Sequence, residues 1–419
     1  METSSGVFRD NQKTQSLRPP FALNNEFMQS SAKPSELLQD AFRTIGLWAT
    51  VLVVLIHYRT ANAIEDGVSG ALQELLVNGI GRVAVPLFAF MSGYLYFRSG
   101  TDSWEDYRGK LAQRSRTVML PYLLISLVAF SCWGIMQCLT KQPTALSASQ
   151  IASRLMLHPM AEQLWFLRDL IILVLIAPLI RAAVRHAEKS MLFVLILLWT
   201  FELQPAPIVS QWYLLNVETL LFFTLGCVAV RRNAWLERLV RLPGGVAGGI
   251  LAAWLCLVLV RVAIDPTFDL WYVRRFTLTS LVLQKASIVI GALSLLTLSR
   301  WLSFRPCNVL ASSSFFVYLT HEFPLREVLL RISGTILPPR HAFWLAAPAA
   351  VVICFVAARL SARYLPVLSN LLTGGRSQRH ATSNVSSNPS NPAAGGNPLN
   401  VRSANHSRLA MCDQSTRNM

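Results

Sequence analysis

The sequence predicts an all-α polytopic membrane protein, with about ten transmembrane helices and both termini in the cytoplasm. Hydrophobic residues make up 53% of its 419 residues and charged residues only 14%, well below the roughly 25% of an average soluble protein. Ten apolar stretches approach the length of about 20 residues that a helix needs to cross a bilayer. Positive charges alternate between the connecting loops, which is the pattern of a polytopic protein.

The predicted spans are separated by polar or charged breaks, and nine or eleven spans are the alternatives to ten. The fifth is short, and the ninth contains His321, Glu322 and Pro324, which are unusual in a lipid-exposed helix. In chain order, the predicted spans are 44–63, 79–97, 118–139, 164–180, 190–203, 212–230, 245–264, 278–299, 309–330 and 343–362.

Loop charges predict the orientation, because Lys and Arg in short loops are retained on the cytoplasmic side. One set of alternate loops is strongly basic and shares its side with the Arg-bearing terminal segments. Both termini are therefore predicted in the cytoplasm, as an even number of crossings requires. The opposite set of loops carries only Lys141, Arg154, Arg274, Arg275 and Arg340.

Three regions are predicted: a polar cytoplasmic N-terminal extension over 1–42, a membrane domain over 43–365, and a disordered Asn- and Ser-rich cytoplasmic tail over 366–419. The extension lacks the features of a signal peptide, and the tail has little apolar surface to bury. The net charge of +16 would suggest a nucleic acid partner in a soluble chain. Here most of the excess falls between apolar runs, so no nucleic acid is expected.

The seven cysteines form no CxxC or Cys/His cluster, and neither a disulfide framework nor a metal site is predicted. Ionisable residues inside the spans are better candidates for function, since each costs at least a few kcal/mol in the bilayer. Of these, we predict that Glu218 and Lys285 pair across the sixth and eighth spans, and that Arg168 and Asp169 point to opposite faces of one helix. The full set is His57, Arg59, Arg82, Arg168, Asp169, Glu202, Glu218, Arg261, Lys285, His321, Glu322 and Arg326.

His57 is the candidate catalytic residue. It follows the apolar run 51–56 and lies about 14 residues after Arg43, which places it roughly 20 Å along the first helix at 1.5 Å per residue. An imidazole can accept a proton from a hydroxyl near neutral pH, so His57 is a candidate general base. The alternative is a histidine at a helix end, hydrated by lipid headgroups.

A basic cluster, Arg108, Lys110, Arg114 and Arg116, stands directly before the third span. Guanidinium groups match the geometry of phosphate oxygens, so four cations in nine residues predict a site for a large anionic ligand. The alternative is a topology signal that binds no ligand. Arg82, near the start of the second span, is a weaker candidate for binding an acceptor or stabilising charge, since it can also reach the outer headgroups.

Five segments resemble the motifs of one known family, the integral-membrane acyltransferase family 3. The second is the most specific, because it is similar to the family's VPLFF-x-x-SGYL signature. The segments are VLVVLIH (51–57), GRVAVPLFAFMSGYL (81–95), RSRTVMLPYL (114–123), LWFLRD (164–169) and SSFFVYLTHE (313–322).

The resemblance implies a ten-helix O-acyltransferase of the bacterial inner membrane. Its donor would be acyl-coenzyme A, carrying an acetyl or succinyl group and used as a co-substrate, with no permanently bound cofactor. Its acceptor would be a hydroxyl of an exported or lipid-linked surface glycan. The family's essential first-helix histidine matches His57, and the arginines that hold its donor match Arg114 and Arg116.

The sequence departs from the family at two places. One residue separates Arg114 from Arg116, where two are common. The family's Asp-x-x-Arg is present as Asp40 and Arg43, about one turn farther from the histidine than usual. A transporter for a surface polysaccharide or its lipid-linked unit is the alternative function, and proline interruptions in the spans would serve it. A membrane scaffold is a third interpretation, but it leaves the buried charges unexplained.

Overall fold

A computed structural model describes residues 36–61, 64–99, 103–140, 146–204, 208–209, 212–271, 273–304 and 307–375. These residues are almost entirely helical, which confirms the predicted class. The described strands are Ile208–Val209 and Trp212–Tyr213, which pair as a short antiparallel hairpin. The helices are α1 Glu36–His57, α2 Gly67–Glu74, α3 Ala84–Arg98, α4 Trp104–Arg114, α5 Leu120–Leu139, α6 Ala148–Met156, α7 Trp165–Leu175, α8 Ala177–Thr200, α9 Val217–Val230, α10 Asn233–Val240, α11 Gly244–Ile264, α12 Leu278–Leu298, α13 Cys307–Thr320, α14 Leu325–Ile336, α15 Phe343–Tyr364 and α16 Pro366–Thr373.

Six helical stretches among the described residues are long and apolar enough to cross a membrane. The chain is therefore a multi-pass membrane protein, while the count of ten spans stays a prediction. Two shorter apolar helices, Val217–Val230 and Val309–Thr320, add to these. The six stretches are Glu36–His57, Gly67–Arg98, Trp104–Leu139, Gly244–Ile264, Leu278–Leu298 and Phe343–Tyr364.

The ninth predicted span, 309–330, is wrong in its extent. Helix α13 ends at Thr320 and α14 begins only at Leu325. Pro324 accounts for the break, because proline lacks a backbone N–H and disfavours a helical conformation in the residue before it. The fourth and fifth predicted spans also differ, since α8 continues through the basic segment 181–189 with a kink at Ala187.

Two glycines bring α3 and α9 into close contact. A Cβ atom on Gly93 would lie 2.1 Å from the backbone oxygen of Phe223, and one on Gly226 would lie 2.3 Å from that of Phe90. Small residues let membrane helices approach this closely. Gly93 belongs to the SGYL motif, so this part of the motif has a packing role.

The antiparallel packing of α1 against α3 defines two ends of the bundle. The rings of Phe42 and Tyr94 lie 5.1 Å apart, whereas Gly81 contacts Ile56 near the other end of α1. We call these the Arg98 end and the His57 end. Basic side chains bind backbone oxygens at the Arg98 end: Lys110 Nζ donates to Tyr96 (3.1 Å) and an Arg181 Nη donates to Phe97 (3.0 Å).

The helical bundle extends beyond the predicted boundaries of the membrane domain. Helix α1 begins at Glu36, inside the segment predicted as an N-terminal extension. Helix α16 spans Pro366–Thr373, at the start of the segment predicted as disordered, and buries Ser369 and Thr373. The domain limits at residues 42 and 365 stay predictions. Residues 1–35 and 376–419 lie outside the described part of the chain.

Candidate active site

A cavity of about 830 Å³ lies at the His57 end of the bundle. It is lined by residues of α1, α3, α7, α9 and α14, the segment between α2 and α3, and the loop between α11 and α12. A cavity of this volume can hold a ligand the size of a drug molecule. His57 and Arg82, two of the predicted site residues, both line its wall.

His57 is the last residue of α1, half-buried and facing this cavity. Its backbone oxygen accepts a hydrogen bond from Arg326 Nε at 2.5 Å, which satisfies a carbonyl that the helix end leaves open. Its ring lies beside the ring of His321, with 5.1 Å between the centroids and 61° between the planes. The imidazole of His57 is thus held between a second histidine and the cavity.

His321 lies in the break after α13 and is fully buried. Its Nδ1 lies 3.1 Å from the oxygen of Val317 and 3.0 Å from that of Tyr318. Both neighbours are acceptors, so we assign the proton to Nδ1 and the lone pair to Nε2. Nε2 has no hydrogen-bond partner among the described residues. The contact between His57 and His321 was not predicted from the sequence. The one sequence signal for it is that two of the five motif segments contain a histidine.

Arg82 reaches the cavity from an irregular part of the second span. Residues Leu75–Ile80 form a π-helical turn and Gly81–Val83 a 3-10 turn, and such π turns often occur at functional sites. The Arg82 guanidinium donates to Asn78 Oδ1 from Nε (3.1 Å) and Nη2 (2.6 Å). Its central carbon lies 5.6 Å from the ring of Trp271. Asn78 therefore fixes the direction in which Arg82 points.

A buried carboxylate stands behind Asn78. Glu74 Oε2 accepts from Asn78 Nδ2 at 2.9 Å and contacts Arg59 Nη1 at 2.8 Å, while Glu74 Oε1 contacts Arg261 Nη1 at 2.5 Å. The side chains of Glu74 and Arg261 are both 0% exposed. One carboxylate thus pairs with two arginines and anchors the residue that orients Arg82.

The predicted pairing of Glu218 with Lys285 is confirmed, with 3.9 Å between Oε2 and Nζ. Lys285 also forms a direct ion pair with Glu202 and lies 4.6 Å from the centre of the Trp199 ring. Trp199, Glu202 and Glu218 line a small pocket of about 30 Å³, which shares Arg82 and Trp271 with the main cavity.

Arg168 and Asp169, which the sequence places on opposite faces of one helix, lie close together. Arg168 Nη2 contacts Asp169 Oδ1 at 3.2 Å. Each also bonds the backbone, because an Arg168 Nη donates to the oxygen of Leu157 (2.8 Å) and Asp169 Oδ2 accepts the N–H of Asn216 (3.0 Å). These contacts give both charges a structural role.

The structure does not bring Arg114 and Arg116 near His57. Arg114 ends α4 and interacts electrostatically with Tyr96 at the Arg98 end. From Arg82 to Tyr96 is 14 residues of helix, or about 20 Å at 1.5 Å per residue. Arg114 is half-buried whereas Arg116 is exposed, because residues two positions apart face opposite sides of a helix. A π-helical turn, Ser115–Met119, also begins between them.

Comparisons with known proteins find similarity to a polysaccharide biosynthesis protein and to an acyltransferase family. The chain is 27% identical over 319 residues to the "Succinoglycan biosynthesis protein ExoH" of Rhizobium meliloti (strain 1021), covering 73% of this chain and 82% of that protein. No solved structure gives a significant match. The sequence profile of the family Acyl_transf_3, described as an acyltransferase domain, matches residues 45–359. This match covers most of the chain and confirms the resemblance seen in the five segments, so the protein belongs to this acyltransferase family.

Proposed function

We propose that this protein is a membrane O-acyltransferase, which moves an acetyl or succinyl group from acyl-coenzyme A to a hydroxyl of an exported or lipid-linked surface glycan. The observation that carries the proposal is the position of His57, at the wall of a large cavity and backed by His321. Membership of the acyltransferase family supports the reaction class. The similarity to a succinoglycan biosynthesis protein supports a glycan acceptor.

In the proposed reaction, the acceptor hydroxyl gives its proton to His57 as its oxygen attacks the thioester carbonyl carbon. The C–S bond breaks, an ester forms, and the coenzyme A thiolate leaves and regains a proton. The developing oxyanion needs a preorganised donor. Arg82 serves this role, because Asn78 holds its guanidinium at the cavity wall.

The donor and acceptor approach from opposite ends of the bundle in this proposal. Arg114 holds phosphates at the Arg98 end, and the flexible arm of coenzyme A carries the thioester along the helices to His57. The acceptor enters the cavity at the His57 end. This arrangement explains why the two sets of predicted site residues lie about 20 Å apart along the helices.

Isolated membranes test the proposal when they are supplied with labelled acetyl- or succinyl-coenzyme A. We expect label to appear on the surface glycan as an alkali-labile ester only when the protein is present. If the glycan stays unlabelled and its export instead depends on the protein, the protein is a transporter and the proposed acyltransferase function is rejected.

Replacing Arg114 with Ala should weaken acyl-coenzyme A binding by about 10- to 150-fold, because a charge-assisted phosphate contact contributes about 1.5–3 kcal/mol. Lys should restore only part of the affinity, since it cannot form a bidentate contact. Arg116→Ala tests the second arginine. Arg238→Ala is the matched control, an exposed arginine on α10 outside the basic cluster. Binding is measured by titration of the purified protein with acyl-coenzyme A. If the Arg114 and Arg116 variants both bind with wild-type affinity, the two arginines are topology signals and do not hold the donor.

Reporter fusions test the proposed ten-span topology. Fusions after Ser99 and after Thr373 should report the cytoplasm, and a fusion after Glu65 should report the opposite side. The basic residues gathered at the Arg98 end support this orientation,. A cytoplasmic signal after Glu65 would reverse it, and coenzyme A would then reach the His57 end directly.

A further inference from the structure

Two indole rings form part of the wall of the His57 cavity. Trp165 is the first residue of α7, and Trp271 lies in the loop between α11 and α12. Their ring centroids are 5.3 Å apart with 44° between the planes. Both side chains are half-buried. Arg82 lies 5.6 Å from the centre of the Trp271 ring, and the exposed parts of both indoles face the space that His57 shares.

The loop holds Trp271 in place through one carboxylate. Asp269 Oδ1 accepts the backbone N–H of Trp271 at 2.8 Å and that of Val273 at 3.1 Å. The backbone N–H of Asp269 in turn donates to the oxygen of Arg275 at 2.9 Å. An aspartate that bonds the backbone two residues on fixes a turn, so Trp271 is positioned before any ligand arrives.

The residues around the indoles suit a neutral polar ligand better than a polyanion. Five arginines line the cavity, and three of them contact a carboxylate: Arg59 contacts Glu74, Arg168 contacts Asp169, and Arg326 contacts Glu327 at 3.4 Å. The carboxylates of Glu162, Glu218 and Asp269 line the same cavity and offset the charges of the other two arginines, Arg82 and Arg275. The same wall carries Asn216 and Glu218, whose oxygens accept hydrogen bonds from hydroxyl groups.

We propose that Trp271 and Trp165 form the acceptor subsite, where one face of an uncharged sugar ring packs against the indole wall. The C–H face of a pyranose is apolar and slightly positive, which complements the negative face of an indole. The ring's hydroxyls then reach the polar side chains of the same wall, and one of them lies toward His57. This proposal rests on the proposed acyl transfer for the use of that hydroxyl, but the binding itself does not.

Direct binding tests the subsite without any transfer step. The probe is the mixture of oligosaccharides released by mild acid from the host's own surface polysaccharide, titrated onto the full-length protein in lipid nanodiscs. Acetyl-coenzyme A is titrated in parallel. The variants are Trp271→Ala and Trp271→Phe, with Trp235→Ala as the control, since Trp235 is 55% exposed on α10 and does not line the cavity.

We expect Trp271→Ala to weaken oligosaccharide binding about tenfold and to leave acetyl-coenzyme A binding unchanged. Phe should keep part of the affinity, and the control should match the wild type. Wild-type protein that binds no oligosaccharide, or equal binding by Trp271→Ala, overturns the subsite. If Trp271→Ala loses only acetyl-coenzyme A binding, the indoles belong to the donor site, and this result also overturns the acceptor subsite. Binding that depends on Trp271, in a protein that never transfers an acyl group, would leave the subsite standing and reject the proposed function.

Discussion

Replacing His57 with Gln is expected to lower O-acylation by about 10²- to 10⁴-fold, the usual contribution of a general base. Gln keeps a hydrogen-bonding group of similar size but cannot accept a proton near neutral pH. The protein should still accumulate in the membrane, because the contact that anchors this end of α1 uses the backbone oxygen of His57 and not its ring. Acylation is measured as alkali-labile ester on the surface glycan.

The matched control is His186→Gln, at an exposed position on α8. It should leave acylation unchanged, which shows that a His-to-Gln change is tolerated elsewhere in the bundle. Normal acylation by a well-expressed His57→Gln variant would reject His57 as the base. A histidine that is only hydrated at a helix end would give that result.

Removing the carboxylate of Glu74 should destabilise the protein by about 3–5 kcal/mol, because it leaves the fully buried Arg261 without its counter-ion,. The expected result for Glu74→Leu is a large loss of folded protein and a lower midpoint of thermal unfolding in detergent. Glu65→Leu is the control, since Glu65 is exposed in the turn before α2 and should change little.

A double variant separates lost charge pairing from lost packing. Glu74→Leu combined with Arg261→Leu should be destabilised by less than the sum of the two single variants, since the double variant buries neither charge alone. Destabilisations that simply add would show that the two side chains act independently, contrary to their 2.5 Å contact.

The helices were predictable from the sequence wherever a long apolar run determines them. Runs such as 245–264 and 278–299 match α11 and α12 to within a residue, because a bilayer admits backbone only when its hydrogen bonds are satisfied internally. The breaks were less predictable. Hydropathy measures side-chain polarity, so it gives no signal for the missing backbone N–H of Pro324. No residue pattern predicts the π-helical turn Leu75–Ile80.

The candidate site was predictable only where a motif or an unusual charge marked it. An apolar run that ends in His57 is visible in the sequence, and Arg261 stands out as a charge within a span. Glu74 was missed because it lies in the polar break before the second predicted span, and the structure extends the helix back to include it. Trp271 was missed because a loop aromatic has no periodicity, and only the turn held by Asp269 places it at the cavity.

The predicted spans put Arg82, near the start of the second span, and Arg114, directly before the third, on opposite sides of the membrane. Their positions along the helices agree, since Arg82 lies at the His57 end and Arg114 at the Arg98 end. In the proposed reaction, this separation puts donor binding at one end of the bundle and acceptor chemistry at the other. A pattern of loop charges can predict this separation, but it cannot show that the ring of His321 lies beside that of His57.

Transfer by the purified protein tests the central claim most directly. The protein is reconstituted in lipid nanodiscs and supplied with labelled acetyl- or succinyl-coenzyme A and the oligosaccharides of the host's surface polysaccharide. We predict that wild-type protein forms an alkali-labile acyl ester on the oligosaccharide and releases free coenzyme A, and that His57→Gln forms neither. Failure of the wild-type protein to form the ester from either donor, with oligosaccharide demonstrably bound, would contradict the assignment as an acyltransferase of this glycan.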